Sequence, residues 1–318
     1  MSEESTLVIV VDGLRASALG AYGNTWFDTP SVDRLAADSW LAEWCFVSAV
    51  QLPDVYHALW QGVHPAHYGA DLDELVALIA AVGDRFHTHL ITDSNEVAAL
   101  AAKQPFEQVE LLEDLASGVC NEIEETRFAH LVAAPAVALR EVAAHKFVWL
   151  HSRGMYGSWD APLELLEALV EEGDPAPYPG HESPVCKIDR AANPDDVFAF
   201  ACAYAAQVQS IDACLGALLA EVPKNINVVF TGGRGFPLGE HGQVGGTDLQ
   251  LPVEQLHVPL ILRSGTQAGR LGRAQALVEP CDLPATLLNW AGIRDKLHFN
   301  DGWNLMPLVD GHPDRQRD

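Results

Sequence analysis

The sequence predicts an α/β fold with a largely parallel sheet sandwiched between helices. Six short apolar runs bounded by turn residues recur along 318 residues: Leu7–Val11, Trp44–Val47, Thr88–Thr92, Phe147–Leu150, Asn227–Thr231 and Val258–Leu262. Several are apolar at nearly every position, as strands covered on both faces are. Helical stretches lie between them, and strands alternating with helices imply crossover units on a parallel sheet.

The elements read in order as follows. After the first run, Thr29-Pro30-Ser31-Val32-Asp33 opens a helix, with Thr29 as N-cap and Pro30 at the first helical position. Leu72 to Val82 is apolar and alanine-rich and reads as a helix. Glu122 to Ala144 reads as one or two helices around Pro135, Asp195 to Val222 as a long helix and Leu283 to Trp290 as a short one. Glu171 to Pro194 is rich in Pro, Gly and Asp and reads as a surface loop within one domain. No internal repeat is visible. The expected organisation is one domain over residues 1–311 and a polar tail over 312–318.

Composition narrows the partners. Nineteen Lys and Arg against 44 Asp and Glu give a formal charge of −25, which repels phosphate backbones and anionic lipid. Neither nucleic acid nor a membrane is expected as a partner. An apolar share of 48% excludes a disordered chain. No run approaches the ~20 apolar residues of a membrane helix. The acidic start Met1-Ser2-Glu3-Glu4 is unlike a signal peptide, so the expected location is cytoplasmic. The widely spaced cysteines, Cys45, Cys120, Cys186, Cys202, Cys214 and Cys281, are then expected to be reduced.

In an open parallel sheet, ligands sit beyond the carboxyl ends of the strands. Asp12 follows the first run, His151 follows Phe147–Leu150, and Thr231, Gly232, Gly233 and Arg234 end and follow Asn227–Phe230. These segments are expected to converge on one edge.

Several ordered motifs resemble the sulfatase family of the alkaline phosphatase superfamily. The opening, Leu7-Val8-Ile9-Val10-Val11-Asp12-Gly13-Leu14-Arg15 followed by Leu19-Gly20-Ala21-Tyr22-Gly23 and Thr29-Pro30-Ser31-Val32-Asp33-Arg34-Leu35, is similar to the family's first strand, turn and helix. Val228-Val229-Phe230-Thr231 with Gly239-Glu240-His241-Gly242 resembles the strand and loop that carry the late metal ligands. Val258-Pro259-Leu260, Asp282-Leu283-Pro284-Ala285-Thr286-Leu287 and Asp301-Gly302-Trp303-Asn304-Leu305 also have family parallels. The resemblance implies an alkaline-phosphatase-like fold and covers the family's larger domain. It also implies sulfate-ester hydrolysis by a formylglycine made from a cysteine in Cys-x-Pro-Ser-Arg, with a calcium or magnesium ion held by four protein ligands.

At the catalytic positions this chain departs from that pattern. Gln51-Leu52-Pro53-Asp54-Val55 stands where Cys-x-Pro-Ser-Arg belongs, so the nucleophile position is Gln51 and the activating arginine is Val55. Gly13 replaces the second early aspartate, and Gly233 and Arg234 replace the late metal pair. Of the four ligands Asp12 remains, and one carboxylate does not hold a hard dication unaided. No metal or other cofactor is therefore expected. Asp12 is read in three ways: capping a turn, pairing with Arg234, or keeping a metal. His151 is either structural or part of a sulfate-binding stretch. Arg153 and Arg234 either bind an anion together or balance nearby acids. Thr231 lines the same edge. His241 is either an acid or base or a structural residue. Ser48 lacks an adjacent base in sequence. The tryptophans Trp40, Trp44 and Trp60 read as core packing, with an aromatic ligand shelf as the alternative. His57, His64 and His67 read as loop residues. Two functions stay open: a sulfatase-like protein without hydrolysis that binds a small anion or a protein partner, and an active ester hydrolase with a rearranged site.

Overall fold

The first strand sets the architecture: all six residues of β1 (Thr6–Val11) are buried. Leu7, Ile9 and Val11 face one apolar cluster, whereas Val8 and Val10 face another, so the strand is covered on both faces. Each such fully buried aliphatic side chain contributes about 1.5–3 kcal/mol. The computed structural model describes residues 4–67, 77–113, 118–140, 145–189, 192–246, 251–266, 272–293 and 301–312.

After β1 come α1 (Pro30–Ala37), β2 (Trp40–Phe46), α2 (Leu52–Gln61), α3 (Leu78–Gly83), β3 (His87–Thr92), α4 (Asn95–Ala101) and β4 (Gln108–Leu111). The chain continues through α5 (Arg127–Arg140), β5 (Lys146–Ser152), α6 (Leu163–Glu167), β6 (Cys186–Lys187), α7 (Pro194–Glu221) and β7 (Asn227–Gly232). It closes with β8 (Gln243–Val244), α8 (Val253–Leu256), β9 (His257–Arg263), β10 (Gly272–Val278), α9 (Asp282–Trp290) and α10 (Met306–Val309). Eight strands form one sheet in the order β10-β2-β9-β7-β1-β5-β3-β4. Among the described strands of this sheet, β9 alone runs antiparallel to its neighbours. The carboxyl ends of β1, β2, β3, β5 and β7 therefore meet at one edge.

Residues of α1, α5 and α7 cover one face, and residues of α2, α3, α4 and α9 the other. At 28 residues, α7 is about 42 Å long. It is long and apolar enough to cross a membrane by length and composition, unlike the expectation above. Its apolar positions are instead packed inside the domain, among them Tyr204, Ile211 and Leu215.

Local chemistry explains where the boundaries moved. The second strand begins at Trp40, directly after Asp38 and Ser39 end α1. Pro135 does not divide α5, which runs unbroken from Arg127 to Arg140. The loop expected over 171–194 contains the short strand β6, paired with β8. The helix expected from Leu72 is described from Leu78, residues 72–76 lying outside the described residues. Thr29 does not cap α1; its hydroxyl accepts from Gly20 N at 2.9 Å. The cap comes from α7, where the Asp212 carboxylate accepts from Ser31 N at 3.0 Å and Val32 N at 2.8 Å. Trp40 and Trp60 are core residues, but Trp44 is exposed and stacks on His257 with ring centroids 5.3 Å apart. None of the six cysteines is in a disulfide.

Candidate functional site

At the carboxyl end of β1, Asp12 is 1% exposed. Arg234, two residues beyond β7, meets it with a two-pronged contact: Nε lies 3.1 and 3.2 Å from the two carboxylate oxygens, and Nη2 donates to Oδ2 at 2.9 Å. The remaining prong, Nη1, donates to the carbonyl of Val50, one residue before Gln51. Tyr156 stacks beneath the guanidinium at 4.1 Å, and its hydroxyl donates to Gly235 O at 3.0 Å and Gly246 O at 3.1 Å. Burial pushes the Asp12 carboxyl above its ordinary value, and the guanidinium opposes that push.

Next along the edge, Asp93 follows β3 and accepts from Arg127 Nε at 2.9 Å and from the Arg153 backbone at 2.7 Å. The Arg153 side chain stands 3.9 Å from the same carboxylate. Between these pairs lies His151, wholly buried in β5. Its Nδ1 is 2.7 Å from the Tyr56 hydroxyl on α2, and its Nε2 is buried without a hydrogen-bond partner among the described residues. Burial, reinforced by Arg234 and Arg153, lowers its pKa to about 3, so the ring is neutral.

The fold that presents this edge has known parallels. The family model Sulfatase matches residues 5–293. The chain belongs to the sulfatase family. No curated protein matches the sequence. Among solved structures, the phosphonate monoester hydrolase of Agrobacterium radiobacter aligns with a TM-score of 0.80 at 19% identity, covering 99% of this chain and 79% of its own. The phosphonate monoester hydrolase of Silicibacter pomeroyi aligns at 0.75 with 16% identity, covering 99% and 78%. A putative sulfatase from Bacteroides thetaiotaomicron aligns at 0.73 with 15% identity, covering 100% and 76%. At these identities the likeness fixes the fold as alkaline-phosphatase-like.

The family's dication does not fit this sulfatase-family edge. No group of three or more His, Cys, Asp or Glu among the described residues could hold a metal ion. Asp12, the ligand that the sequence resemblance leaves in place, is engaged by Arg234, whose charge repels a cation. Gly13 has φ +78°, and a Cβ there would lie 2.5 Å from Met155 Cβ. A Cβ on Gly233 would come 3.1 Å from Asp12 Oδ1. Gln51, which the sequence resemblance sets at the family's nucleophile position, is exposed as the N-cap of α2, and Val55 is buried in the core one turn later. An amide cannot become an aldehyde and does not attack an ester.

Other candidates separate from the edge centre. Thr231 is buried, and its hydroxyl donates to Pro259 O at 2.8 Å, tying β7 to β9. His241 is exposed in the loop before β8, its Nε2 3.3 Å from Glu254. Ser48 donates to Glu279 at 2.6 Å, so its hydroxyl meets an acid rather than an imidazole. His57 pairs with Gln61 at 2.7 Å on α2. His64 and His67 lie against Asp301, through the His64 backbone at 2.9 Å and the His67 ring at 2.8 Å. Sequence reasoning missed Asp93, Arg127 and Tyr56. Asp93 directly follows the run Thr88–Thr92, so the rule that picked out Asp12 and His151 applies to it as well. Arg127 and Tyr56 come from helices and have no such signal.

Proposed function

We propose that this chain is a sulfatase-family protein that has lost ester hydrolysis and acts by binding a small anion or a protein partner at the carboxyl edge of its sheet. The observation carrying this reading is the Arg234 guanidinium on both oxygens of Asp12, with an amide, Gln51, at the nucleophile position. Sulfuryl transfer in this family needs a dication to gather the nucleophile and cancel charge building on the leaving oxygens. Here a guanidinium already meets the carboxylate, and among the described residues no activated oxygen or sulfur stands beside it. The neutral His151 ring adds no proton donor of useful strength near neutral pH. Arg153, partly exposed and 3.9 Å from Asp93, is the side chain assigned to meet an incoming anion. The chain's charge of −25 supports a partner that is neither nucleic acid nor anionic lipid.

The test is turnover of aryl sulfate, aryl phosphate and aryl phosphonate monoester by purified protein with calcium, magnesium or manganese. No hydrolysis above the buffer blank is expected. Turnover that disappears in Asp12→Ala refutes the reading. A parallel calorimetric titration with sulfate and phosphate separates the occupants: saturable heat lost in Arg153→Ala identifies an anion, and its absence leaves the protein partner.

A further inference from the structure

The Arg234 guanidinium does more than neutralise Asp12. Its three nitrogens reach two separate segments, the end of β1 through Asp12 and the chain entering α2 through Val50 O. Its own backbone carbonyl accepts from Gly13 N at 2.8 Å, so the residue is tied to the β1 turn twice. The ring beneath it, Tyr156, is fixed by the carbonyls of Gly235 and Gly246.

The positions where further carboxylates would stand are closed as well. A side chain at Gly13 meets Met155, and one at Gly233 crowds Asp12 Oδ1. Met155 is itself held by its backbone bond to Asp12 O at 2.9 Å and is wholly buried. Backbone, packing and charge therefore all match a planar monovalent cation supplied from within the chain.

We propose that Arg234 is a built-in replacement cation, and that the space it fills is a guanidinium-binding site formed by Asp12, Val50 O and the face of Tyr156. The site recognises a planar, five-donor cation by a carboxylate fork, one carbonyl and one aromatic face. Among the described residues, no group of three or more His, Cys, Asp or Glu stands there for a spherical dication. This goes beyond the loss of hydrolysis and does not depend on it.

The experiment is chemical rescue of the full chain, read by thermal melting. Arg234→Ala leaves Asp12 buried without its partner, and the melting temperature is expected to fall by roughly 5–15 °C. Millimolar methylguanidinium is expected to restore much of that loss saturably, while sodium chloride at equal ionic strength does not. Wild type is expected not to respond to calcium or magnesium. The double variant Asp12→Asn/Arg234→Met, which removes both charges, is expected to melt above Arg234→Ala and to ignore methylguanidinium. If Arg234→Ala does not fold, recovery of folded protein by refolding with methylguanidinium and the melting of the double variant decide the question. The proposal is overturned by Arg234→Ala melting like wild type, by methylguanidinium acting no better than salt, by a double variant no more stable than the single one, or by saturable stabilisation of wild type by a dication. Turnover in the hydrolysis assay would sink the functional reading and leave this one standing, so the two fail separately.

Discussion

His151 makes the stability of the protein depend on mildly acidic pH. In the folded chain its pKa is lowered to about 3 by burial and by the fields of Arg234 and Arg153. In the unfolded chain an imidazole titrates near 6.5. Between those values the unfolded state holds a proton that the folded state refuses. Stability contributed by the neutral ring is therefore present above the unfolded value and is lost as pH falls below it. Each pH unit in that window costs about 1.4 kcal/mol, so acidification from roughly pH 7.5 to 5.0 should remove about 2 kcal/mol through this residue. Urea denaturation of wild type and His151→Gln at both pH values isolates the term, because other titrating groups are common to the two proteins. Glutamine keeps a hydrogen-bonding atom within reach of the Tyr56 hydroxyl, 2.7 Å from Nδ1 in the wild type. The wild type should lose about 2 kcal/mol more than the variant. Equal losses would mean that the ring is protonated in the folded protein, and the account of its surroundings would be wrong.

Two other side chains report on the same layers. Asp212→Ala removes the carboxylate that α7 places on the N-terminus of α1, and should cost about 2 kcal/mol in chemical denaturation with little change in the far-ultraviolet circular dichroism of the native state. Asp93→Ala strips the buried Arg127 guanidinium of its 2.9 Å partner and should cost about 3–5 kcal/mol; a loss below about 1 kcal/mol would show that Asp93 does not hold the β3 and β5 ends together.

The fold was legible because its strands announce themselves. β1, β5 and β7 are buried on both faces, so their runs are apolar at almost every position and stand out without any periodicity. β4 and β10 lie at the two ends of the sheet, where one side chain in two, or every one, meets water. Gln108-Val109-Glu110-Leu111 and Gly272–Val278 therefore carry too few apolar residues to be distinguished from loops. α2 was hidden for a different reason. Its start, Leu52-Pro53-Asp54-Val55, coincides with the stretch that aligns with the family's nucleophile motif, so its helical spacing is overlaid by that motif's pattern.

The site divides along the same physical line. A strand fixes the direction in which its last residue leaves the sheet, so a polar residue just past a buried run is placed by local sequence alone. Asp12 and Arg234 follow from that rule, and Asp93 would have followed from it too. Arg127 and Tyr56 belong to helices on opposite faces of the sheet, and each reaches the edge because crossover packing brings it there. No spacing in the chain encodes such a meeting, which depends on how α5 and α2 settle against β3, β1 and β5. The meeting nevertheless decides the electrostatics: Arg127 binds Asp93, and Tyr56 fixes the orientation of the His151 ring. Resemblance could therefore say which ligands were gone from the edge. The arrangement found at the edge, guanidinium, carboxylate, phenol and neutral imidazole, depends on the packing of both helical layers.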